Sequence, residues 1–134
     1  MRVRVPPFGP RMIVETILCL ALNVYHEARG EPKVGQYAVA YVTLNRANHP
    51  NFPNTVCGVV YQPYQFSWTR YNQHLPKDAG WATALRSAIQ VYFGMVKDPT
   101  SGSLFYHNNT VKPEWAPKLK HTVRISNHIF YTYK

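Results

Sequence analysis

The sequence predicts an α+β domain, mainly helical, with a small antiparallel β-sheet near the C-terminus. Three observations lead there. Apolar residues recur at helical spacing in three long stretches before Asp98, and after "DPTSG" the signal switches to short β-type runs. The length of 134 residues suits one compact core, since a domain of this size buries roughly two-thirds of its unfolded surface. Residues 1–134 are therefore read as one domain, with 1–11 an extended N-terminal segment.

From Met12 to about Ala28 the residues Ile13, Ile17, Leu20, Ala21 and Val24 recur at helical spacing, and Gly30 with Pro32 stops the pattern. The stretch "KVGQYAVAYVTLNRA" carries a second helix through Val34, Ala38, Val39 and Val42, and Pro50 and Pro53 bound the loop after it. A short apolar piece, Thr55 to Tyr61, leads into the aromatic loop "YQPYQFSWTRYNQHLP". Asp78 is placed to cap a third long helix, "AGWATALRSAIQVYFGMV", expected to end near Asp98-Pro99. Three strands follow, "SLFYHN", "HTVRIS" and "HIFYTY", with Ser126-Asn127 as the turn between the last two. There is no internal repeat and no low-complexity segment.

Fifteen Lys and Arg against six Asp and Glu give a net charge of +9, spread from Arg2 to Lys134, so the surface should attract polyanions: nucleic acid, anionic envelope polymers or a membrane surface. Cys19 and Cys57 sit in apolar stretches without CxxC or His-rich spacing, and buried free thiols are expected ahead of a metal site or a bridge. The basic "MRVR" and apolar "ILCLALNV" do not make a secretion signal. Pro6, Pro7 and Pro10 interrupt the approach, Glu15 sits at the entrance of the run, and no small-residue cleavage pattern follows. The run is also too short to span a membrane. The chain is expected to be made in the cytoplasm and to need another route to any role outside it.

The stretch "YHEARGE", residues 25–31, holds two of the six carboxylates. His26-Glu27 begins like the zinc-peptidase HExxH, but Gly30 stands where the second His belongs, so the zinc reading fails. The plain alternative is that Glu27 and Glu31 solvate a helix end, the usual role of charges beside a glycine stop. Yet a helix C-terminus is the negative end of the macrodipole and favours cations, so helix stability does not account for acids there. The same field, with partial burial, raises a carboxyl pKa, as a general acid near neutral pH requires. Arg29 is expected to pair with Glu31, leaving Glu27 protonated.

The aromatic loop mixes Tyr61, Tyr64, Phe66, Trp68 and Tyr71 with Gln62, Gln65, Ser67 and Thr69, a combination of flat apolar faces and neutral polar groups suited to sugar rings. A buried aromatic cluster covering the helix pair is an equal reading; Phe66 and Tyr61 are expected to pack inward and the polar neighbours to face a groove. "FYHNNTVKPEW" offers a second wall through Tyr106, Asn108 and Trp115. His107, a lone imidazole in an alternating strand, reads as a surface or hydrogen-bonded residue.

The blocks "VYHEARGEPKVGQYAVAYVTLNR", "FPNTVCGVVYQPYQFSW" and "FYHNNTVKPEWAPKLKHTVRISNHIFY" resemble, in order and from about Ile17 to Tyr131, the cell wall hydrolases of the spore cortex-lytic SleB/CwlJ type. The resemblance implies a lysozyme-like fold whose catalytic glutamate ends the first long helix at the floor of a cleft. It implies peptidoglycan glycan strands as substrate and lytic transglycosylase chemistry. The matching glutamate is Glu27, the family's "FS" pair falls on Phe66-Ser67, and its Tyr-x-Asn strand falls on Tyr106 and Asn108. Unlike the sporulation members, this sequence carries no evident wall-binding domain or export signal. Both features fit a bacteriophage endolysin released by a membrane pore, and a cytoplasmically retained bacterial homologue fits them too.

Counting carboxylates shapes the expected mechanism. Glycosidases commonly use two, but only Glu27 is well placed: Glu31 lies beyond the glycine stop, Glu15 lies roughly 18 Å up the same helix, and Asp78, Asp98 and Glu114 fall in turns. A lone Glu27 suffices if the C6 hydroxyl of N-acetylmuramic acid supplies the nucleophile, with Ser67, Asn108, Gln65 and Trp68 contacting substrate, Tyr106 steadying the oxocarbenium-like state and Trp115 stacking on a sugar. The alternatives are a hydrolytic lysozyme and, from another class, a basic nucleic-acid-binding module, which lacks any recognised signature. No cofactor or metal, a monomer and no nucleic-acid partner are expected, with anionic wall polymers attracted by charge.

Overall fold

The computed structural model describes residues 10–63, 65–70 and 74–134; Tyr64 and Tyr71 of the aromatic loop, and residues 1–9, lie outside them. Among the described residues the chain forms α1 (Pro10–Ala28), α2 (Lys33–Ala47), the short α3 (Val56–Val60), α4 (Ala79–Tyr92) and three strands, β1 (Phe105–Asn108), β2 (Lys120–Ile125) and β3 (His128–Thr132). Pro10 and Arg11 were expected to be extended but open α1; proline's fixed φ suits a first helical turn, where its missing N–H costs nothing.

Helix α1 is the axis around which α2, α3 and α4 pack. It buries Leu20, Ala21, Val24, Tyr25 and Ala28 against Val39, Val59, Ala84 and Val91 of its neighbours. Helix α2 is buried from Gly35 through Ala47 apart from the partly exposed Tyr37, which explains its near-continuous apolar sequence. Thr55 caps α3, its Oγ1 accepting from Gly58 N at 3.0 Å, and Asp78 caps α4, its Oδ1 accepting from Trp81 N at 3.1 Å. Each cap satisfies an N–H that the helix leaves unpaired.

Helix α4 stops at Tyr92, six residues before Asp98. Gly94 adopts φ +68 and donates to Val91 O, while Met95 donates to Gln90 O at 2.8 Å. This pair of bonds is the Schellman ending that a left-handed glycine permits. The apolar residues beyond it, which prolonged the helical pattern in sequence, are largely exposed: Phe93 at 57% and Met95 at 66%.

The cysteines are not free thiols. Cys19 and Cys57 form a disulfide that ties α1 to α3, their Cα atoms 5.3 Å apart. Their separation of 38 residues carries no signal of proximity; the packing of α3 on α1 brings them together.

The sheet has the order β1-β3-β2, antiparallel throughout, with Tyr106 opposite Phe130, Asn108 opposite His128, and a bulge between His121 and Val123. Ser126, at φ 52, turns β2 into β3. Phe130, fully buried, packs with Ala38 and Val42 of α2, flanked by Tyr106, Val123 and Ile125. The entry to β1 is fixed from the helical side. Asp98 accepts from Thr100 N, Gly102 N and Asn45 Nδ2, and Asn45 Nδ2 also reaches Ser103 O at 3.0 Å. The sheet thus stands beside the C-terminal end of α1, and a groove opens between them.

Candidate active site

Glu27 occupies the last turn of α1, one turn beyond the fully buried Asn23, so both project from the same helix face. The Tyr106 hydroxyl donates to Glu27 Oε1 at 2.8 Å, bridging the helix end to β1. Burial raises the Glu27 carboxyl above its ordinary range; the Tyr106 hydrogen bond, then the fields of His128 and Arg46, act the other way, and Glu31 adds to the rise. The net direction is upward, so the carboxyl stays protonated to higher pH than it would in water. Burial, followed by the charge and hydrogen bond of Glu27, lifts the Tyr106 phenol well above its usual value, so it remains a donor.

Glu27 lines a cleft of about 530 Å³. Gln65 and Phe66 of the aromatic loop form one side, Phe105 and Tyr106 of β1 the other, and Trp115, Lys118 and Leu119 extend the sheet-side wall. Glu27 also borders a second depression, of about 370 Å³, with Tyr25, His26 and Arg29. A proton donor at the junction of two such spaces can serve a bond whose two sides occupy both.

The structure gathers four of the predicted residues, Glu27, Gln65, Tyr106 and Trp115, around one cleft. Three others lie elsewhere. Trp68 is buried in the core, its Nε1 donating to Asn23 Oδ1 at 3.0 Å and its ring stacked on His26 at 4.5 Å. It therefore supports the helix face that bears Glu27 and offers no platform to a sugar. Asn108 is exposed and its Oδ1 accepts from Thr110 N at 3.0 Å, capping the turn after β1. Ser67 is exposed at the start of a 3-10 turn, Ser67–Arg70, outside the cleft lining. Phe66 packs inward as expected, but Tyr61 is 43% exposed. His107 is hydrogen-bonded, its Nε2 2.8 Å from the Tyr131 hydroxyl.

Arg29 does not pair with Glu31. It reaches across to Asp78 at 3.3 Å, joining α1 to the start of α4 on the exposed side, where Tyr25 also donates to Asp78. Glu31 instead meets His128 Nδ1 at 3.0 Å. Neither contact was legible locally, because each joins residues about 50 or more positions apart.

Arg46 is the cleft residue that sequence reading missed. It lies in the last turn of the buried helix α2 and is only 5% exposed, with Nε donating to Leu104 O and Nη1 to Gln65 Oε1 at 3.2 Å. The rings of Phe52, Phe66 and Phe105 surround it, at 5.2 to 5.7 Å from their centroids. Burial pulls its pKa down, opposed by Tyr106, Tyr133 and Glu27, and an arginine so placed keeps its charge. An arginine within the apolar period of a second helix was the available signal. Among the described residues no cluster of three or more His, Cys, Asp or Glu could hold a metal ion, and no helix is long and apolar enough to cross a membrane.

A family model described as Cell Wall Hydrolase matches residues 30–131. The chain is 40% identical over 116 residues to a spore cortex-lytic enzyme of Halalkalibacterium halodurans, a match covering 85% of this chain and 34% of that protein. It is also 40% identical over 119 residues to a spore cortex-lytic enzyme of Bacillus subtilis, over 85% of this chain and 36% of that one. It thus spans about a third of the length of these relatives. The fold is similar to the catalytic domain of the Bacillus cereus SleB protein, with a TM-score of 0.80 and 34% identity over 98% of both chains. It is also similar to the catalytic domain of the germination-specific lytic transglycosylase SleB from Bacillus anthracis, with a TM-score of 0.76 and 34% identity over 96% of this chain and 100% of that one.

Proposed function

From the premise that this chain belongs to the cell wall hydrolase family, we propose that it cleaves peptidoglycan glycan strands between N-acetylmuramic acid and N-acetylglucosamine, as a lytic transglycosylase with Glu27 as its one catalytic carboxylate. The observation that carries the reading is the cleft itself. Among its described lining residues Glu27 is the sole acid, and burial raises its carboxyl above the ordinary range beside a phenol that stays a donor.

The reaction runs in two proton movements. Glu27 gives its proton to the glycosidic oxygen as the C1–O bond of N-acetylmuramic acid breaks, and the departing sugar leaves as an alcohol. The resulting carboxylate, steadied by the Tyr106 hydroxyl and the Arg46 charge, takes the proton of that ring's C6 hydroxyl as its oxygen bonds to C1. Glu27 is returned to its acid form and the strand ends in a 1,6-anhydro ring. Gln65 offers its amide to the sugar's polar groups, and Trp115, 37% exposed on the cleft wall, offers a face for a ring to stack on.

Glu31 does not support a hydrolytic double-carboxylate mechanism, because its side chain, 10% exposed, is engaged with His128. The excess of basic residues draws the domain toward anionic wall polymers, and the disulfide suits work outside a reducing compartment.

Purified peptidoglycan is the substrate that tests this reading. Digestion is expected to release soluble glycan fragments at the same rate before and after exhaustive chelation, since a carboxyl acid needs no metal. Intact walls, or activity that vanishes on chelation and returns with one cation, would contradict it.

A further inference from the structure

Four residues after the proposed acid, the same short stretch supplies Glu31, and its carboxylate does not face the cleft. Gly30, at φ +85, turns the chain at the end of α1. Beyond that turn Glu31 meets His128 Nδ1, Oε2 at 3.0 Å and Oε1 at 3.3 Å, and Oε1 also accepts from Asn127 N at 3.4 Å. The two side chains are 10% and 5% exposed. Gln36 Nε2 holds the Glu31 carbonyl at 3.4 Å, and Gln36 is in turn fixed by Ser87 of α4 at 2.7 Å. A buried polar contact of this kind is weak grounds for stability, because desolvating its groups offsets most of their attraction. Its geometry suggests another use.

His128 opens β3 opposite Asn108, and its ring meets the Tyr106 ring edge-on, centroids 5.1 Å apart at 87°. Tyr106 is the residue whose hydroxyl reaches Glu27. The opposite end of β1 is already anchored to α2, by Arg46 on Leu104 O and Asn45 on Ser103 O. The Asn108–His128 end is anchored to the end of α1 through Glu31. Tyr106 lies between these two anchorages.

We infer that Glu31 and His128 are positioning residues that lock the Tyr106 ring so that its hydroxyl stays on Glu27. The inference rests on the glycan-cleaving role of Glu27. Neither residue is among the cleft-lining residues, and beside the fields they exert on the Glu27 carboxyl their positioning action runs through Tyr106. The position requires an acceptor facing His128 more than it requires a negative charge, so a neutral glutamine serves it where alanine does not.

A double-mutant cycle with Tyr106→Phe tests this, read as kcat and KM on soluble, uncrosslinked glycan strands. Glu31→Ala is expected to lower kcat about 10- to 100-fold, the scale of a small misplacement of a catalytic group, with KM changed less than about 3-fold. Glu31→Gln is expected to recover most of that loss. In the Tyr106→Phe background, Glu31→Ala should cost no more than about 2-fold, because the contact it protects is already gone. If Glu31→Ala does not fold, His128→Asn takes its place: it keeps a donor toward Glu31 but removes the ring that packs on Tyr106, and the same non-additivity is expected. Equal losses in both backgrounds, or an unchanged kcat, overturn the inference while leaving Glu27 in its role. A wild-type protein that cleaves no glycan overturns both.

Discussion

Glu27→Gln is expected to fold as the wild type does and to lose glycan cleavage by about a hundred- to ten-thousand-fold or more, the usual share of general acid catalysis. Glutamine matches glutamate in size and can still accept from the Tyr106 hydroxyl, which sits 2.8 Å from Oε1, so packing at the end of α1 is preserved. What it lacks is a transferable proton. Because burial already disfavours the charged carboxylate, exchanging it for a neutral amide should leave thermal stability equal or slightly raised. Loss of activity with retained stability separates a chemical role from a structural one. A folded variant that clears wall suspensions at near the wild-type rate would remove Glu27 from the mechanism.

Loss of the Cys19–Cys57 disulfide is expected to produce the largest change in stability. The bond closes a loop spanning 38 residues, and the chain-entropy model assigns such a loop about 4 kcal/mol of destabilisation of the unfolded state, with engineered cases often giving less. For a domain of this size that corresponds to a Tm lower by about 10 °C or more. Thermal unfolding with and without a strong reductant, and of the Cys19→Ala/Cys57→Ala variant, measures it. Activity at low temperature should survive, since neither the two cysteines nor any residue of α3 is among the cleft-lining residues. Identical melting with and without reductant would mean that the two sulfurs are unpaired thiols.

The contrast between Glu27 and the disulfide shows what the sequence could tell. Glu27 was legible because the argument about it is local: an acid at the negative end of a helix, beside a glycine stop, conflicts with helix stability and so calls for another explanation. The helices and strands were legible for the same reason, since period, caps and turn residues act within a few positions. The early stop of α4 was also written locally, in Gly94, but the apolar residues after it imitated a continuing helix. The disulfide, the Arg29–Asp78 and Glu31–His128 pairs and the inward-turned Trp68 are different. Each depends on which helix lies against which, and no spacing rule reports that. Arg46 was hidden by its setting, since a charge within a buried helix is explicable only once the rings and carbonyls around it are assembled. The resemblance placed Ser67 and Asn108 near substrate by position in a motif, whereas their side chains point to the surface and to a backbone N–H.

The central claim is that one carboxylate does the chemistry and the substrate provides the nucleophile. Mass spectrometry of digested peptidoglycan tests it most directly. The C6 hydroxyl is tethered to the ring it attacks, and intramolecular positioning can supply about 7–11 kcal/mol of the barrier. The products should therefore end in 1,6-anhydro-N-acetylmuramic acid, lighter by one water than hydrolytic products and without a reducing end. Predominantly reducing N-acetylmuramic acid ends would contradict the account and require a second group to activate water.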